Sequence, residues 1–196
     1  MLPTNLRNLS IQDCKKLEAL PNNIHNLNFL QDLRIWACPS IVSFPEEGFP
    51  TNLRKLSLCG ANICEQVFEL GLHRLTLLRS LRIGNGIMDS FPEEEDEKTT
   101  LMLPTSLTSL MFYYFPNLLF VSWKFFQNLS ALEEISIYWC PKLASLSEKC
   151  FPPSLQRLTI LECPVLKQNC EKDKGIMWSK IAKIPSVMID CVEQQK

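Results

Sequence analysis

The chain has 196 residues, 46% of them hydrophobic and 21% charged, with a formal net charge of −1. That is enough apolar material for the core of one ordinary domain or one short solenoid, and the composition makes no case for disorder. The near-neutral balance lacks the basic footprint of a nucleic-acid or anionic-membrane binder, so neither is expected as a partner.

Leu6, Leu9, Ile11, Cys14, Leu17 and Leu20 stand at offsets 0, 3, 5, 8, 11 and 14 from Leu6. Leu30, Leu33, Ile35, Cys38, Ile41 and Phe44 repeat those offsets without insertion, and so do Leu132, Ile135, Ile137, Cys140, Leu143 and Leu146. In L-x-x-L-x-L the last two apolar residues lie two apart, the period of a strand, so both face one side. The Cys follows at a turn, where a small apolar side chain fits beneath the bending backbone. One coil cannot bury these residues alone, but stacked coils share a continuous core. This is a leucine-rich repeat with Cys at its turn position.

In chain order, the coils start near residues 6, 30, 53, 78, 107, 132 and 155, within a repeat region spanning 1–169. Coil three (Leu53, Leu56, Leu58, Ala61) has an irregular return, with a short helix expected somewhere in Glu65 to Leu75. Coil four (Leu78, Leu81, Ile83) has lost a residue near Gly84-Asn85-Gly86 and runs into the acidic stretch Glu93 to Glu97, expected to be a solvated loop. Coil five (Leu107, Leu110, Phe112, Phe115, Leu118, Val121) carries Phe in the Cys place, and Trp123 to Asn128 after it has helical character. Coil seven (Leu155, Leu158, Ile160, Cys163, Leu166) ends where Asn169 breaks the pattern. Trp178, Ile181 and Ile184, then Val187 and Ile189, predict a C-terminal cap over 170–196, its last strand pairing with coil seven and Trp178 covering the core. Four copies of one opening phrase (Leu2-Pro3-Thr4-Asn5, Phe49-Pro50-Thr51-Asn52, Leu103-Pro104-Thr105-Ser106, Phe151-Pro152-Pro153-Ser154) set the register of the strands that follow, with Asn or Ser expected to satisfy turn amides. The first coil begins at once, without a polar cap, which predicts that this stretch continues a longer protein.

The Cys count is 9, an odd number. Cys14, Cys38, Cys140 and Cys163 share one repeat position, a packing ladder, and the remainder show no zinc spacing. A reducing, cytoplasmic setting fits this usage and the lack of a signal-peptide pattern in MLPTNLRNLS. The sequons at Asn8 and Asn128 then carry no weight. The stretch Leu107 to Phe126 is apolar, but Pro116-Asn117 interrupts it and the repeat explains its leucines, so no membrane span is expected.

The coils LSIQDCKKLEALP, LRIWACPSIVSFPEEGFPTNL and ISIYWCPKLASL, with the tail CPVLKQNCEKDKGIMWSKIAKIPSVMID, resemble the C-terminal repeats of plant intracellular nucleotide-binding leucine-rich-repeat disease-resistance proteins of the coiled-coil subclass. The resemblance implies an α/β repeat solenoid, a curved horseshoe with a parallel β-sheet on its concave face and a mostly irregular or short-helical convex side. It implies a module that senses pathogen effectors or modified host proteins and restrains the receptor's own nucleotide-binding domain. ADP or ATP would belong to that other domain. This chain has no Gly-x-x-x-x-Gly-Lys-Ser/Thr loop, and no cofactor is expected in it.

Side chains between the strand leucines alternate to the outer, concave face. They are Asn8, Ser10 and Gln12; Asp32, Arg34 and Trp36; Lys55, Ser57 and Cys59; Ser80, Arg82 and Gly84; Ser109, Met111 and Tyr113; Glu134, Ser136 and Tyr138; Arg157, Thr159 and Leu161. From these and the next corner, Arg34, Trp36, Arg82, Met111, Tyr113, Glu134, Tyr138, Trp139 and Arg157 are the expected protein-binding residues, with Tyr113, Tyr138, Trp139 and Trp36 as aromatic anchors. The competing reading folds Tyr114 and Trp139 into the turn and leaves Tyr113 and Tyr138 merely covering neighbours.

Only His25 and His73 are available for catalysis, and no paired carboxylates meet at a turn, so no enzyme is expected. A stand-alone adaptor, such as a substrate-recruiting protein of a ubiquitin ligase, would use a similar face, but the adaptor-binding motif it should carry is not seen. A secreted repeat inhibitor would need a signal peptide and paired capping cysteines.

Overall fold

The computed structural model describes residues 5–66, 70–91, 103–122, 126–146 and 151–194. Each L-x-x-L-x-L segment is a short strand, because its two inward side chains are two residues apart and apolar. In order these are β1 (Asn8–Gln12), β2 (Asp32–Trp36), β3 (Lys55–Cys59), β4 (Ser80–Gly84), β5 (Ser90–Phe91), β6 (Ser109–Tyr113), β7 (Phe120–Val121), β8 (Glu134–Tyr138), β9 (Arg157–Leu161), β10 (Ser186–Ile189) and β11 (Val192–Glu193). The helices are α1 (Ala61–Gln66), α2 (Pro164–Asn169) and α3 (Trp178–Ile181), with single 3₁₀ turns at Ile24–Asn26 and Leu72–Arg74.

Among the described residues the main sheet has nine strands in the order β1-β2-β3-β4-β6-β8-β9-β10-β11. All neighbours are parallel until β11 folds back antiparallel on β10. Equal repeat offsets lie side by side: Leu9, Leu33, Leu56, Leu81, Leu110, Ile135, Leu158 and Val187 form one inward row. The cap strand therefore continues the ladder on β9, as its Ile-x-x-Val-x-Ile pattern predicts.

The ruler positions make the core. Leu132, Ile135, Ile137, Cys140, Leu143 and Leu146 are all 0% exposed. In the first unit Leu6, Leu9, Ile11, Cys14 and Leu17 are only half-buried, having a neighbouring unit on one side alone. At the other end Ile181 and Ile184 are buried and Trp178 packs, half-covered, on the core.

The cysteines are rungs. Cys38 Sγ–H donates to the Trp36 carbonyl at 3.1 Å and Cys163 Sγ–H to that of Leu161 at 3.3 Å, while the Cys140 amide donates to Cys163 Sγ at 3.4 Å. Each thiol thus ties its own turn to the adjoining unit. The hydrogen bond to Cys163, together with burial, pushes the Cys140 thiol far above its ordinary range. Burial alone pushes Cys170 up to about 12.

Three expectations shift. The helix of unit three lies at Ala61–Gln66, earlier than expected, with a 3₁₀ turn at Leu72–Arg74. The turn residues Ser106 and Ser154 do not accept from turn amides; their hydroxyls donate to the carbonyls of Leu78 and Leu132, at 2.7 Å each, stitching one unit to the one before. The helical character expected in Trp123 to Asn128 is a turn at 126–128, and 123–125 lie outside the described residues, as does the acidic stretch Glu93 to Glu97. The short return of unit four is visible in β5 on β7, where Ser90 faces Phe120. Ser90 stands one offset earlier than Phe120 does, although the strands before them are in register.

Candidate functional site

The outward side chains form three rows across the sheet, and the row at offset six carries the aromatics. It runs Gln12, Trp36, Cys59, Gly84, Tyr113, Tyr138, Leu161. Trp36 and Tyr113 are three strand spacings apart, about 14 Å between backbones, yet their ring centroids are 6.1 Å apart. The rings lean toward each other over Cys59 and Gly84, the two small positions between them. A β-carbon on Gly84 would lie 2.5 Å from the Tyr113 carbonyl oxygen, 3.1 Å from its Cβ and 3.2 Å from its Cδ1, so glycine admits the Tyr113 backbone first and its ring second.

From Tyr113 the rings continue. Trp139 meets Tyr113 edge-on at 5.2 Å and Tyr138 at 5.9 Å, while Tyr114 is 6.5 Å from Tyr113. Such contacts contribute about 0.5–1.5 kcal/mol each beyond area burial. The four expected anchors are therefore one contiguous cluster, with Tyr114 as a fifth member not on the predicted list.

Tyr114 and Trp139 are 51% and 41% exposed, so they do not fold into the turn. Both sit at the corner just after their strands with φ of 56° and 53°, in the left-handed region. The corner is held by the backbone: the Tyr114 amide donates to the Tyr138 carbonyl at 2.9 Å, and the Trp139 amide to that of Leu161 at 3.0 Å. A non-glycine residue there costs roughly 1–2 kcal/mol. Asp13 and Asn85 occupy the same corner in other units with the same sign of φ. Asn and Asp suit that conformation, whereas large aromatics do so poorly.

Arg82 adds charge. Its guanidinium carbon lies 5.9 Å from the Trp36 ring centroid, a cation–π distance. Arg34 is engaged differently, with Nε 3.1 Å and Nη2 2.9 Å from the two carboxylate oxygens of Asp32. Beneath the Trp36 ring edge is an anomaly: Nε1–H is buried and has no hydrogen-bond partner. An orphaned buried donor costs about 1–3 kcal/mol.

The remaining predicted residues share the face without joining the rings. Met111 lies between Arg82 and Ser136 in the middle row, and Glu134 stands beside Arg157 in the first. Three outward assignments need correction, one of them Gly84, which is buried against Tyr113. Cys59 is 4% exposed and Ser136 3%, although both register to the outer face. Each is a short side chain beside longer ones: Trp36 and Arg82 reach across the first, and Met111 flanks the second. Burial pushes the Cys59 thiol up to about 11, with nearby Arg82 pulling the other way, so it is neutral at pH 7.

Trp36, Tyr113 and Tyr138 are half-buried in the cluster, and Tyr114 and Trp139 are its exposed edge. No family model matches the chain. It does match, at 36% identity over 195 residues, a protein of Arabidopsis thaliana whose name assigns it to disease resistance. The chain resembles a stretch of a plant resistance protein. The match takes in 96% of this chain and 13% of that relative, so the alignment covers a small part of a far longer protein. Among the described residues no helix is long and apolar enough to cross a membrane.

Proposed function

We propose that the chain is a curved leucine-rich-repeat solenoid over 1–169, closed by a cap over 170–196, and that it is the protein-recognition part of a plant intracellular immune receptor. On this reading its concave face contacts a pathogen effector or a modified host protein. The repeats also restrain the receptor's nucleotide-binding domain, and ADP or ATP is handled by that domain. The chain itself works in the cytoplasm by binding, without catalysis and without a cofactor of its own.

The observation that carries this reading is the ring cluster of Trp36, Tyr113, Tyr138 and Trp139 on the outer face of the sheet. Hot spots of protein interfaces are enriched in these residue types and in Arg. The similarity to a stretch of the Arabidopsis relative supports the defence setting.

The test is Tyr138→Ala with Trp139→Ala, introduced into the full-length protein and expressed in leaf cells challenged with the pathogen. A lost defence response at unchanged protein level and melting temperature supports recognition through this face. A response equal to wild type removes it.

A further inference from the structure

We propose that the corner formed by Arg82, Trp36 and Tyr113 receives an acidic side chain of the protein partner, a carboxylate carried beside an apolar or aromatic residue. This rests on the assignment of the face to protein recognition and names what the face selects.

The geometry of Arg82 leads to the carboxylate. Its guanidinium carbon lies 5.9 Å from the Trp36 ring centroid, a contact that uses none of its five N–H donors. Those donors form the fork that a carboxylate accepts bidentately. Of the two arginines nearest Trp36, Arg34 is paired with Asp32, and Arg82 has no carboxylate partner among the described residues.

The surrounding charge agrees. On the outward positions Arg34, Lys55, Arg82 and Arg157 stand against Asp32 and Glu134, although the whole chain carries −1. The repeat strands β1 to β9 thus carry two more cations than carboxylates outward, with Glu193 on β11 at the far end of the sheet, which favours an acidic partner near Arg82. Phosphate is the poorer fit, since a dianion is held by clustered arginines and this corner has one unpaired guanidinium.

The rings account for the apolar companion. Trp36 and Tyr113 wall the corner, with Trp139 next in line, and a flat side chain beside the carboxylate stacks on them. The Trp36 Nε1–H, buried and without a hydrogen-bond partner among the described residues, belongs to the same ring and reports on whatever seats beside it.

The test uses the full 196-residue chain and two matched peptides, one alternating Glu with Tyr and Leu, the other with Lys in place of Glu. Binding is followed through the Trp36 indole N–H resonance. The acidic peptide shifts that resonance with an affinity that falls as salt rises, and the Lys peptide does not. Arg82→Gln weakens the acidic peptide roughly tenfold or more, Arg82→Lys weakens it partly through loss of the flat fork, and Lys172→Gln, exposed in the C-terminal cap, leaves it unchanged. Equal binding of both peptides, or an Arg82→Gln variant that binds as wild type, overturns the proposal. So does binding of phenyl phosphate in preference to the acidic peptide. The two readings fail separately. Peptide binding lost in Arg82→Gln, with an intact leaf response in the Tyr138/Trp139 variant, keeps the acidic corner and removes the immune reading. The reverse pattern does the opposite.

Discussion

The Phe115 ring occupies the space that a β-carbon on Gly86 would need. Both residues sit at the rung that holds Cys in most other units, one with the largest side chain and one with none. The pair keeps the rung filled across β4 and β6, since a bulky side chain in one unit is matched by its absence in the next. Gly86 has no left-handed backbone, so the constraint is space alone. Gly86→Ala should therefore destabilise by about 1–3 kcal/mol through overpacking. Adding Phe115→Cys, which restores the rung of the other units, should recover part of that loss. Urea denaturation of the two single variants and the double variant measures the coupling, and strictly additive losses would refute it.

Ile135 and Ile137 are the inward pair of β8, each 0% exposed and registered between Leu110 and Leu158 or Phe112 and Ile160. Truncating either to Ala should cost about 2–5 kcal/mol. Hydrogen exchange should show protection lost first in β6 and β9, the strands that share those rows, and last in β1. Uniform loss along the sheet would mean that the chain unfolds as one block.

Trp36→Phe removes the orphaned N–H while keeping a ring against Tyr113 and Arg82. The free chain should be as stable as wild type or more so, because nothing polar is left buried without a partner. Trp36→Ala should lower the melting temperature, since the rings then lose their support. A Phe variant as unstable as the Ala variant would show that the indole N–H has an acceptor.

Asp190 follows β10 and holds the corner that leaves β9. Its carboxylate accepts from Lys167 Nζ at 2.7 Å and from the Glu162 amide at 3.0 Å. That amide belongs to the corner residue whose counterparts in other units donate to the next strand's carbonyl. Lys167 first, and the Glu162 amide second, hold the Asp190 carboxyl below the usual carboxylate range. A carboxylate depressed in the folded state stabilises above its unfolded pKa, about 3.9, and that contribution drains away as pH falls through the lower folded value. The melting temperature of Asp190→Asn should therefore fall less steeply below about pH 4 than that of wild type, with the two curves closest at the acid end. Parallel curves would assign Asp190 no role in acid stability.

The strands, their order and their register were legible in the sequence because L-x-x-L-x-L permits one way of stacking: Leu33 beside Leu56, Leu110 beside Ile135. The adjacency of Tyr113 and Tyr138 followed from the same ruler. The meeting of Trp36 with Tyr113 did not, since it depends on side chains leaning across two intervening strands. Its signal was present in Gly84 and Cys59, the small residues that make room. The left-handed corner was also marked, by Asp13 and Asn85 at equivalent positions. Helix α1 was placed too far along because Gly60 is not left-handed there and leads directly into it.

The corner after each strand has a further consequence. Asp13, Ala37, Asn85, Tyr114, Trp139 and Glu162 share one backbone conformation there, and all are exposed, whatever their chemistry. Their amides do the structural job, so exchange of the side chain disturbs no rung and no inward leucine. The chemistry displayed along this edge of the sheet and the packing of the ladder are therefore carried by different positions.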